Sequence, residues 1–458
     1  MERHPASFRD DAGFLFRHEG TLYRAVCGPG REDYDLLIRS GLYDELSSGG
    51  LLVPHDVVAG APFAPAGASL LLAPRPIPFI SYPYEWSFGQ LKDAALLTLE
   101  VQRRALARGM SLKDASFFNV QFAGSRPVFI DTLSFQARRD APWVAYRQFC
   151  EHFLGPLALM AMTLPGIHRY LAARLDGFPL EEIVRLLPVR ARLRPGLLMH
   201  LHLHRAAQRR HASGDGASSR AATGSFGLTR QLALVDSLSS TVERLRLPPG
   251  RTQWGDYAAE ASHYSPDAAE TKRRFVQEET RGLDGETLWD LGGNTGDFSR
   301  IGAANGLYAV CFDQDHLCVQ RNYARARAES DQRLLPLLLD LANPSPAAGW
   351  AHRERESLAQ RGPAGMLLAL ALVHHLRVTA NVPFEEMIPF LAAMGRRAIV
   401  EFVPRDDPMT RRILGGRDDP FHDFEPRRFE EILERRYVVK ARQPLPGTGR
   451  TLYALERR

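Results

Sequence analysis

Residues 288–300 limit what this chain can fold into more than any other segment. They read Leu-Trp-Asp-Leu-Gly-Gly-Asn-Thr-Gly-Asp-Phe-Ser-Arg, an apolar run with an acid at Asp290 that leads directly into a cluster of glycines. A helical pattern begins near Asp297. A strand, a tight glycine turn and a helix are how an open α/β sheet brings its backbone against a nucleotide. Glycine suits such a turn because a Cβ would block positive φ angles and the close approach of a ligand.

The next apolar run ends in an acid about 20 residues beyond the glycine turn. It reads Leu307-Tyr-Ala-Val-Cys-Phe-Asp313, and Asp315 follows two positions later. An acid at the end of a second strand is placed to accept hydrogen bonds from ribose hydroxyls. We expect Asp313 to have this role, with Asp315 as the alternative. A solvated turn acid is the other interpretation.

Two later apolar runs also end in polar residues. Residues 334–339 lead into Asp340, and the nearly unbroken run 365–373 is closed by His374 and His375. An unbroken apolar run is typical of a strand covered by helices on both faces. A histidine at the carboxyl end of such a strand could accept a proton from a substrate hydroxyl, because its pKa lies near neutrality. A histidine that only packs beneath a ligand is the alternative interpretation.

These segments, in this order, resemble the class I S-adenosylmethionine-dependent methyltransferases over about residues 280–458. Motif I of that family is written acid-x-Gly-x-Gly-x-Gly, and Asn294 replaces its middle glycine here. Asparagine also tolerates left-handed backbone angles. The resemblance implies an α/β Rossmann-like fold with a seven-stranded, mostly parallel sheet, and S-adenosyl-L-methionine as the cofactor. The cofactor-binding residues that it implies are Asp290, Gly292, Gly293, Asn294, Gly296, Asp313, Asp340, Leu341 and, as a lid residue, Tyr264.

The same resemblance suggests how transfer would be assisted. His374 or His375 would act as the catalytic base if the acceptor is a hydroxyl, with Glu401 in support. Asp406 and Asp407, after the fifth strand, are further polar residues on the substrate side. The acceptor is expected to be a small molecule whose identity the sequence does not encode, because specificity depends on loops.

The front half contains a second pattern with a chemical meaning. Asp114 is followed by Asn119 five positions later, and the apolar run Arg126-Pro-Val-Phe-Ile ends in Asp131. This spacing resembles the catalytic loop and metal-binding strand of the kinase and aminoglycoside-phosphotransferase-like folds. The resemblance implies an α+β kinase-like domain in which Asp114 is the base, while Asn119 and Asp131 hold Mg²⁺ on the phosphates of ATP.

Several departures indicate that this kinase-like domain is degenerate. Leu112 stands where a histidine is usual, and no lysine precedes Lys92, so the phosphate-pairing lysine has no counterpart. Arg24 is the nearest substitute cation, although arginine is bulkier and a different donor. A chance Asp/Asn spacing in a helical domain is the competing interpretation.

Composition and spacing predict the division of the chain. We expect a kinase-like domain at 1–204, a flexible linker at 205–226, a helical cap at 227–280 and a methyltransferase domain at 281–458. The linker is rich in small and polar residues without apolar periodicity. The fusion also resembles bacterial proteins named after host-specific nodulation, a label that implies no defined chemistry.

Composition excludes some function classes. Hydrophobic residues make up 45% and charged residues 24% of the 458 residues, which is ordinary for a globular protein. No run of 18 apolar residues occurs, so we expect a cytoplasmic protein without a membrane segment. The four cysteines lack metal-ligand spacing. The net charge of +5 comes with basic clusters that lack interleaved aromatic residues, which does not favour nucleic acid as a partner.

The leading prediction is therefore a bacterial S-adenosylmethionine-dependent methyltransferase that acts on a small-molecule acceptor. Two alternatives belong to other classes. One is a magnesium- and ATP-dependent phosphotransferase, or a pseudokinase-type scaffold, with a regulatory cofactor-binding domain. The other is a binding scaffold that retains affinity for the cofactor without transfer.

Overall fold

The computed structural model describes residues 2–212, 226–250, 252, 265–415 and 424–458. The chain divides into two compact units. Unit 1 comprises Met1–Phe122, Pro127–Pro249 and Ala348–Arg355, and unit 2 comprises Ala123–Arg126, Gly250–Ala347 and Glu356–Arg458. Among the described residues, no helix combines the length and the apolarity that are needed to cross a membrane.

Unit 1 begins with an antiparallel sheet of five strands in the order β1-β2-β3-β5-β4. Strands β2 and β3 form a hairpin in which His18 pairs with Thr21. Glu19 and Gly20, between them, both have left-handed φ angles, the conformation that matches a two-residue turn to the twist of the strands. The five strands are β1 (Glu2–Arg3), β2 (Gly13–His18), β3 (Thr21–Cys27), β4 (His55–Val58) and β5 (Ala68–Pro74).

A long helix and four short strands follow this sheet. The helix Phe88–Ala107 starts at a capping box, in which the Ser87 hydroxyl accepts from Gln90 N and the Gln90 side chain accepts from Ser87 N. Strand β6 (Met110–Leu112) pairs with β9 (Phe135–Ala137), and β7 (Val120–Ala123) pairs with β8 (Arg126–Phe129). The α-helices in the described part of unit 1 are α1 (Gly28–Arg39), α2 (Leu42–Ser48), α3 (Phe88–Ala107), α4 (Tyr146–Phe149), α5 (Gly155–Met162), α6 (Leu180–Leu186), α7 (Pro195–Leu197), α8 (His204–Ala212) and α9 (Leu228–Arg244).

Unit 2 contains a mixed sheet of seven strands in the order β12-β11-β10-β13-β14-β16-β15. The first five strands of this order are parallel, and β16 runs antiparallel to both of its neighbours. The predicted seven-stranded, mostly parallel sheet is therefore confirmed. The strands are β10 (Thr287–Leu291), β11 (Tyr308–Asp313), β12 (Leu334–Leu338), β13 (Ala364–Ala369), β14 (Gly395–Phe402), β15 (Tyr437–Pro444) and β16 (Thr451–Arg457).

The order of the parallel strands reverses direction at β10, the strand that carries Asp290. Ligands of open α/β sheets bind beyond the carboxyl ends of the strands at such a switch point. Strands β12 and β13 are buried at every position, which explains why their sequences are almost continuously apolar. The helices of unit 2 are α10 (Pro266–Glu279), α11 (Asp297–Ala304), α12 (His316–Ala328), α13 (Val373–Val378), α14 (Phe384–Met394), α15 (Pro408–Leu414) and α16 (Pro426–Leu433).

Some boundaries differ from those that the sequence indicates. The fourth parallel strand ends at Ala369 and a helix starts at Val373, so His374 and His375 lie in the first turn of α13 rather than on the strand. Ala371 has a φ of 50°, which breaks the strand before the helix begins. Residues 205–212 of the predicted linker belong to α8, where Arg205 and Arg209 pair with Glu181; residues 213–225 lie outside the described part of the chain. The kinase-like assignment of the front half stays a prediction.

Candidate functional site

The glycine turn after β10 has the backbone conformation that its sequence requires. Gly292 and Gly296 have φ angles of 74° and 78°, and Asn294 has a φ of 49°. The amides of Gly292 and Gly293 donate to the carbonyl of Phe312 at 2.8 and 3.0 Å. The turn is therefore held against the end of β11, with its backbone at the carboxyl edge of the sheet.

Asp290 lies beneath this turn and is almost fully buried. A Cβ added at Gly293 would lie 2.7 Å from Asp290 Oδ2 and 2.5 Å from Cys311 Sγ, so only glycine fits there. The Ser299 hydroxyl, on α11, donates to Asp290 Oδ2 at 2.6 Å. Burial raises the pKa of Asp290 to about 6. Asp290 thus connects β10, the turn and the following helix from below.

Asp313 ends β11 and its carboxylate faces the turn. Its Oδ2 accepts a hydrogen bond from the amide of Asn294 at 2.8 Å, and its Oδ1 accepts from the amide of Asp315 at 2.8 Å. Burial raises the pKa of Asp313 to about 6. Asp315, the alternative acid, caps α12 by accepting from the amides of Leu317 and Cys318. The contact with the glycine turn is therefore made by Asp313.

The remaining predicted cofactor residues lie at the same carboxyl edge of the sheet, except for one that is outside the described residues. Asp340 and Leu341 follow β12 and are partly exposed. The Asp340 carboxylate accepts from the amide of Ala342 at 3.0 Å, which fixes a turn at this position. The carboxyl ends of neighbouring parallel strands share one edge of a sheet, so Asp340 follows the strand next to the one that ends in Asp313. Tyr264 lies outside the described residues.

Two residues that brace the glycine turn were missed by the sequence analysis. Arg300 Nη1 donates to the carbonyls of Thr295 and Gly296 at 2.8 and 3.2 Å, and to Asn322 Oδ1 at 2.9 Å. A Cβ added at Gly296 would lie 2.4 Å from Asn322 Nδ2, so Asn322 explains why this position is a glycine. No pattern in the sequence relates two residues that are 22 positions apart on different helices.

The two predicted histidines are both shielded from water. His374 is almost fully buried, His375 is partly buried, and their ring centroids are 4.1 Å apart. Burial, together with the charge of Arg450, lowers the pKa of His375 to about 4. Burial, His375 and the charges of Arg450 and Lys272 lower the pKa of His374 well below its ordinary value. Both rings are therefore neutral at neutral pH, the form in which a ring nitrogen can accept a proton.

Glu401, the predicted support for the histidines, is fully buried and pairs with two cations. Lys272 Nζ lies 2.6 Å from Glu401 Oε2, and Arg450 Nη1 lies 3.4 Å from Glu401 Oε1. The Arg450 guanidinium also binds the Asp407 carboxylate through two hydrogen bonds of 2.8 and 3.0 Å. These four residues form a buried network of two cations and two anions. Lys272 could have been singled out from the sequence as unusual, because only four lysines occur in the whole chain.

A cleft lies beyond the end of β14. It has a volume of about 520 Å³, and Asp406 and Arg411 contribute charged side chains to it. Asp406 was predicted on the substrate side, whereas Asp407 instead caps α15 and pairs with Arg450. The other lining residues are Pro404, Arg405, Leu414, Phe424, Glu425 and Pro426.

In unit 1 the side chains predicted to hold Mg²⁺ have neighbouring side chains as partners. Arg24 Nη1 lies 2.5 Å from Asp131 Oδ1, and the Ser134 hydroxyl donates to Asp131 Oδ2 at 2.5 Å. Asn119 Nδ2 donates to the same hydroxyl at 3.1 Å. Both carboxylate oxygens of Asp131 are thus occupied. Within the described ranges, no group of three or more His, Cys, Asp or Glu side chains is arranged to hold a metal.

Asp114, the predicted base, is also held within the protein. Its Oδ1 accepts from Gln148 Nε2 at 2.7 Å and from the amide of Ser116 at 2.8 Å. Burial and the nearby charge of Asp131 raise the pKa of Asp114. These contacts are those of a carboxylate that fixes a loop.

Comparison with known proteins gives the family. The chain is 35% identical to the nodulation protein NoeA of Rhizobium meliloti (strain 1021) over 465 residues, which cover 98% of this chain and 95% of that protein. The chain belongs to the NoeA family. No protein-family model matches the sequence. The alignment spans both halves of the chain.

Solved structures similar to the chain include several methyltransferases. Magnesium protoporphyrin IX methyltransferase (ChlM) from Synechocystis PCC 6803 is 16% identical and covers 46% of this chain and 90% of its own, with a TM-score of 0.31. The bifunctional kinase-methyltransferase WbdD is also 16% identical and covers 44% of this chain and 41% of its own, with a TM-score of 0.30. TM-scores at this level do not establish a shared fold, and the assignment of the sheet depends on its strand order.

Proposed function

We propose that unit 2 is an S-adenosylmethionine-dependent methyltransferase that acts on a small-molecule acceptor. The hydrogen bond from the Asn294 amide to the Asp313 carboxylate carries this proposal. It joins the glycine turn to an acid at the end of the neighbouring strand, beside the switch point of the sheet. A glycine turn next to a fixed carboxylate suits a ligand that contains a nucleoside.

The residues at this edge fit the adenosyl part of the cofactor. Asp313 would accept hydrogen bonds from the ribose hydroxyls, since its carboxylate is already oriented by two backbone amides. Asp340 and Leu341, after the next strand, would contact the adenine. Gly292 is suited to this turn, because its φ of 74° favours glycine and an added Cβ would lie only 3.3 Å from Leu372 Cδ1. Asp290, fully enclosed below the turn, would act by positioning the backbone rather than by touching the ligand.

S-adenosylmethionine supplies an electrophilic methyl group, and the acceptor must approach it in line with the bond that breaks. The protein would contribute mainly by orienting the two reactants and excluding water. His374 or His375 stays our candidate to accept the proton of a hydroxyl acceptor. Both rings are neutral near pH 7, but their lowered pKa makes each a weaker base than an ordinary histidine. Glu401 would hold Lys272 and Arg450 at this edge rather than act as a base itself.

The cleft beyond β14 is our proposed entrance for the acceptor. Its volume of about 520 Å³ suits a small molecule, and its walls combine apolar side chains with the charged side chains of Arg405, Asp406, Arg411 and Glu425. The name of NoeA refers to nodulation and specifies no methyl acceptor. Unit 1 has no part in the chemistry of this proposal, because Arg24 and Ser134 occupy its predicted metal ligand, Asp131.

Calorimetry with S-adenosylhomocysteine tests the cofactor site directly and requires no knowledge of the acceptor. We expect the full chain to bind it, and Asp313→Ala to weaken binding at least about tenfold, which corresponds to about 1.4 kcal/mol. Asp284→Ala is the matched control, because Asp284 belongs to the same unit but is largely exposed. Equal affinities of the wild type and Asp313→Ala would reject the ribose contact, and absence of binding would reject the methyltransferase proposal.

A further inference from the structure

Unit 1 presents one segment with a concentrated positive charge. Residues 185–194 read Arg-Leu-Leu-Pro-Val-Arg-Ala-Arg-Leu-Arg, with four arginines and no acid. Arg185 pairs with Glu181, but Glu181 also pairs with Arg205 and Arg209, so three cations share one carboxylate. Within the described part of the chain, no acidic side chain pairs with Arg192 or Arg194. The segment therefore has an uncompensated positive charge.

Large apolar side chains project from the same segment. Val189 is 79% exposed and Leu193 is 82% exposed, and Leu186 is also exposed. The short 3-10 helix Val189–Leu193 buries Ala191 as its anchor, which turns the neighbouring side chains toward solvent. Single exposed aliphatic residues are common on protein surfaces. Three of them between arginines within eight positions indicate a surface that binds a membrane or another molecule.

The segment is fixed to the body of unit 1. Arg190 Nη2 donates to the carbonyl of Met162 at 3.2 Å, and the Thr163 hydroxyl donates to the carbonyl of Leu186 at 3.4 Å. These bonds bring the segment beside Leu164, which is half exposed and extends the apolar surface. The arginines and aliphatic side chains are thus presented together by a held backbone.

We propose that this arginine–aliphatic patch, formed by Leu186, Val189, Arg190, Arg192, Leu193 and Arg194, docks unit 1 on an anionic phospholipid surface. The aliphatic side chains would enter the boundary between headgroups and acyl chains, while the guanidinium groups remain among the phosphates. Each arginine near such a surface adds electrostatic attraction to anionic lipids. The patch lacks the aromatic side chains with which a protein stacks on nucleic-acid bases.

Vesicle co-sedimentation of the full chain tests this proposal. We expect binding to vesicles of phosphatidylcholine with phosphatidylglycerol, and much weaker binding to vesicles of phosphatidylcholine alone. Raising the salt concentration is expected to weaken the binding, because screening shortens the reach of the charges. The variants Arg192→Gln/Arg194→Gln and Val189→Ser/Leu193→Ser are each expected to lower the partition coefficient at least about tenfold.

Matched controls separate the patch from a general effect of charge or apolarity. Arg273→Gln/Arg274→Gln removes the same charge from two exposed positions of α10 in unit 2, and Val57→Ser/Val144→Ser removes two other exposed valines. Both controls should bind like the wild type. The proposal is overturned if the wild type ignores anionic vesicles, or if patch variants and controls bind alike. The proposal is also overturned if the wild type sediments only in the presence of an acidic protein, because the partner of the patch would then be a protein and not a lipid surface.

Discussion

The ammonium group of Lys272 lies 2.6 Å from a carboxylate oxygen of Glu401, and both side chains are buried. Lys272 belongs to α10 and Glu401 to β14, so the pair joins the helix that precedes the glycine turn to the fifth parallel strand. Arg450 also approaches Glu401, at 3.4 Å. Buried ions that lose a partner are costly, because the remaining charge has no water to solvate it.

Removal of this lysine should therefore destabilise the fold strongly. We expect Lys272→Met to lower the free energy of unfolding by about 3–5 kcal/mol, because the buried Glu401 carboxylate loses its nearer cation and Arg450 is more distant. Urea denaturation of the full chain measures the change. The double variant Lys272→Met/Glu401→Gln should recover part of the loss, since the uncompensated anion is gone.

An exposed pair in the same unit provides the control for this prediction. Lys440 pairs with Glu456 at 3.2 Å, and both side chains are more than half exposed. Lys440→Met should cost less than about 1 kcal/mol, because water screens surface ion pairs. Similar losses for the two lysine variants would show that the buried network contributes no more than a surface pair.

Cofactor binding should depend on pH through Asp313. Burial raises its pKa from an ordinary 3.8 to about 6, so the folded protein holds this proton more tightly than the unfolded chain does. Without ligand, this group therefore makes unit 2 less stable as the pH rises from about 4 to about 6. Ribose hydroxyls donate hydrogen bonds to the ionised carboxylate, so ligand binding favours loss of the proton.

The affinity for S-adenosylhomocysteine should accordingly fall below pH 6 and level off above it. One proton with a pKa near 6 predicts binding about tenfold weaker at pH 5 than at pH 7.5. Calorimetry across this range measures it, and Asp313→Ala should lose the dependence along with most of the affinity. A dependence that persists unchanged in Asp313→Ala would assign the titration to another group, of which the nearest by pKa is Asp290.

The sequence predicts the fold of unit 2 better than it predicts the interactions at the site. Asp313 could be chosen as a candidate because it ends a strand at a fixed distance from a glycine turn, and both features are local. Asp315 was the second candidate for the ribose contact. Local sequence explains this as well, because an acid that directly precedes a helix caps the first turn of that helix. Strand β13 ends earlier than its apolar run suggests, because apolarity alone does not separate a buried strand from the start of a buried helix.

Contacts between distant segments could not be predicted in this way. Lys272 and Glu401 are 129 positions apart, and no periodicity or spacing relates them. The bracing of Gly296 by Asn322 depends on how two helices pack, which appears only when the sheet is assembled. In unit 1, the sequence spacing suggested Asp114 as a base and Asn119 and Asp131 as metal ligands, but it could not indicate which side chains they contact in the fold.

Arg24 should serve as the built-in cation of unit 1. Burial alone would raise the pKa of Asp131, but Arg24 and Ser134 lower it below its ordinary value. Replacing Arg24 by methionine removes this cation from Asp131. It also removes the cation from Asp10, which pairs with the other terminal nitrogen of the guanidinium. We expect Arg24→Met to lower the melting temperature, and added Mg²⁺ to restore part of the loss in this variant only.

Thermal melts with and without Mg²⁺ distinguish this arrangement from a working magnesium site. The wild-type melting temperature should not change with Mg²⁺, alone or with ATP, because Arg24 and Ser134 occupy both oxygens of Asp131. Arg31→Met is the matched control, since Arg31 pairs with Asp35 on the surface of α1, where losing a partner leaves a solvated carboxylate. That variant should melt close to the wild type and ignore Mg²⁺. If Mg²⁺ with ATP instead stabilises the wild type, Arg24 must leave Asp131 on binding, and unit 1 would regain the phosphotransferase interpretation.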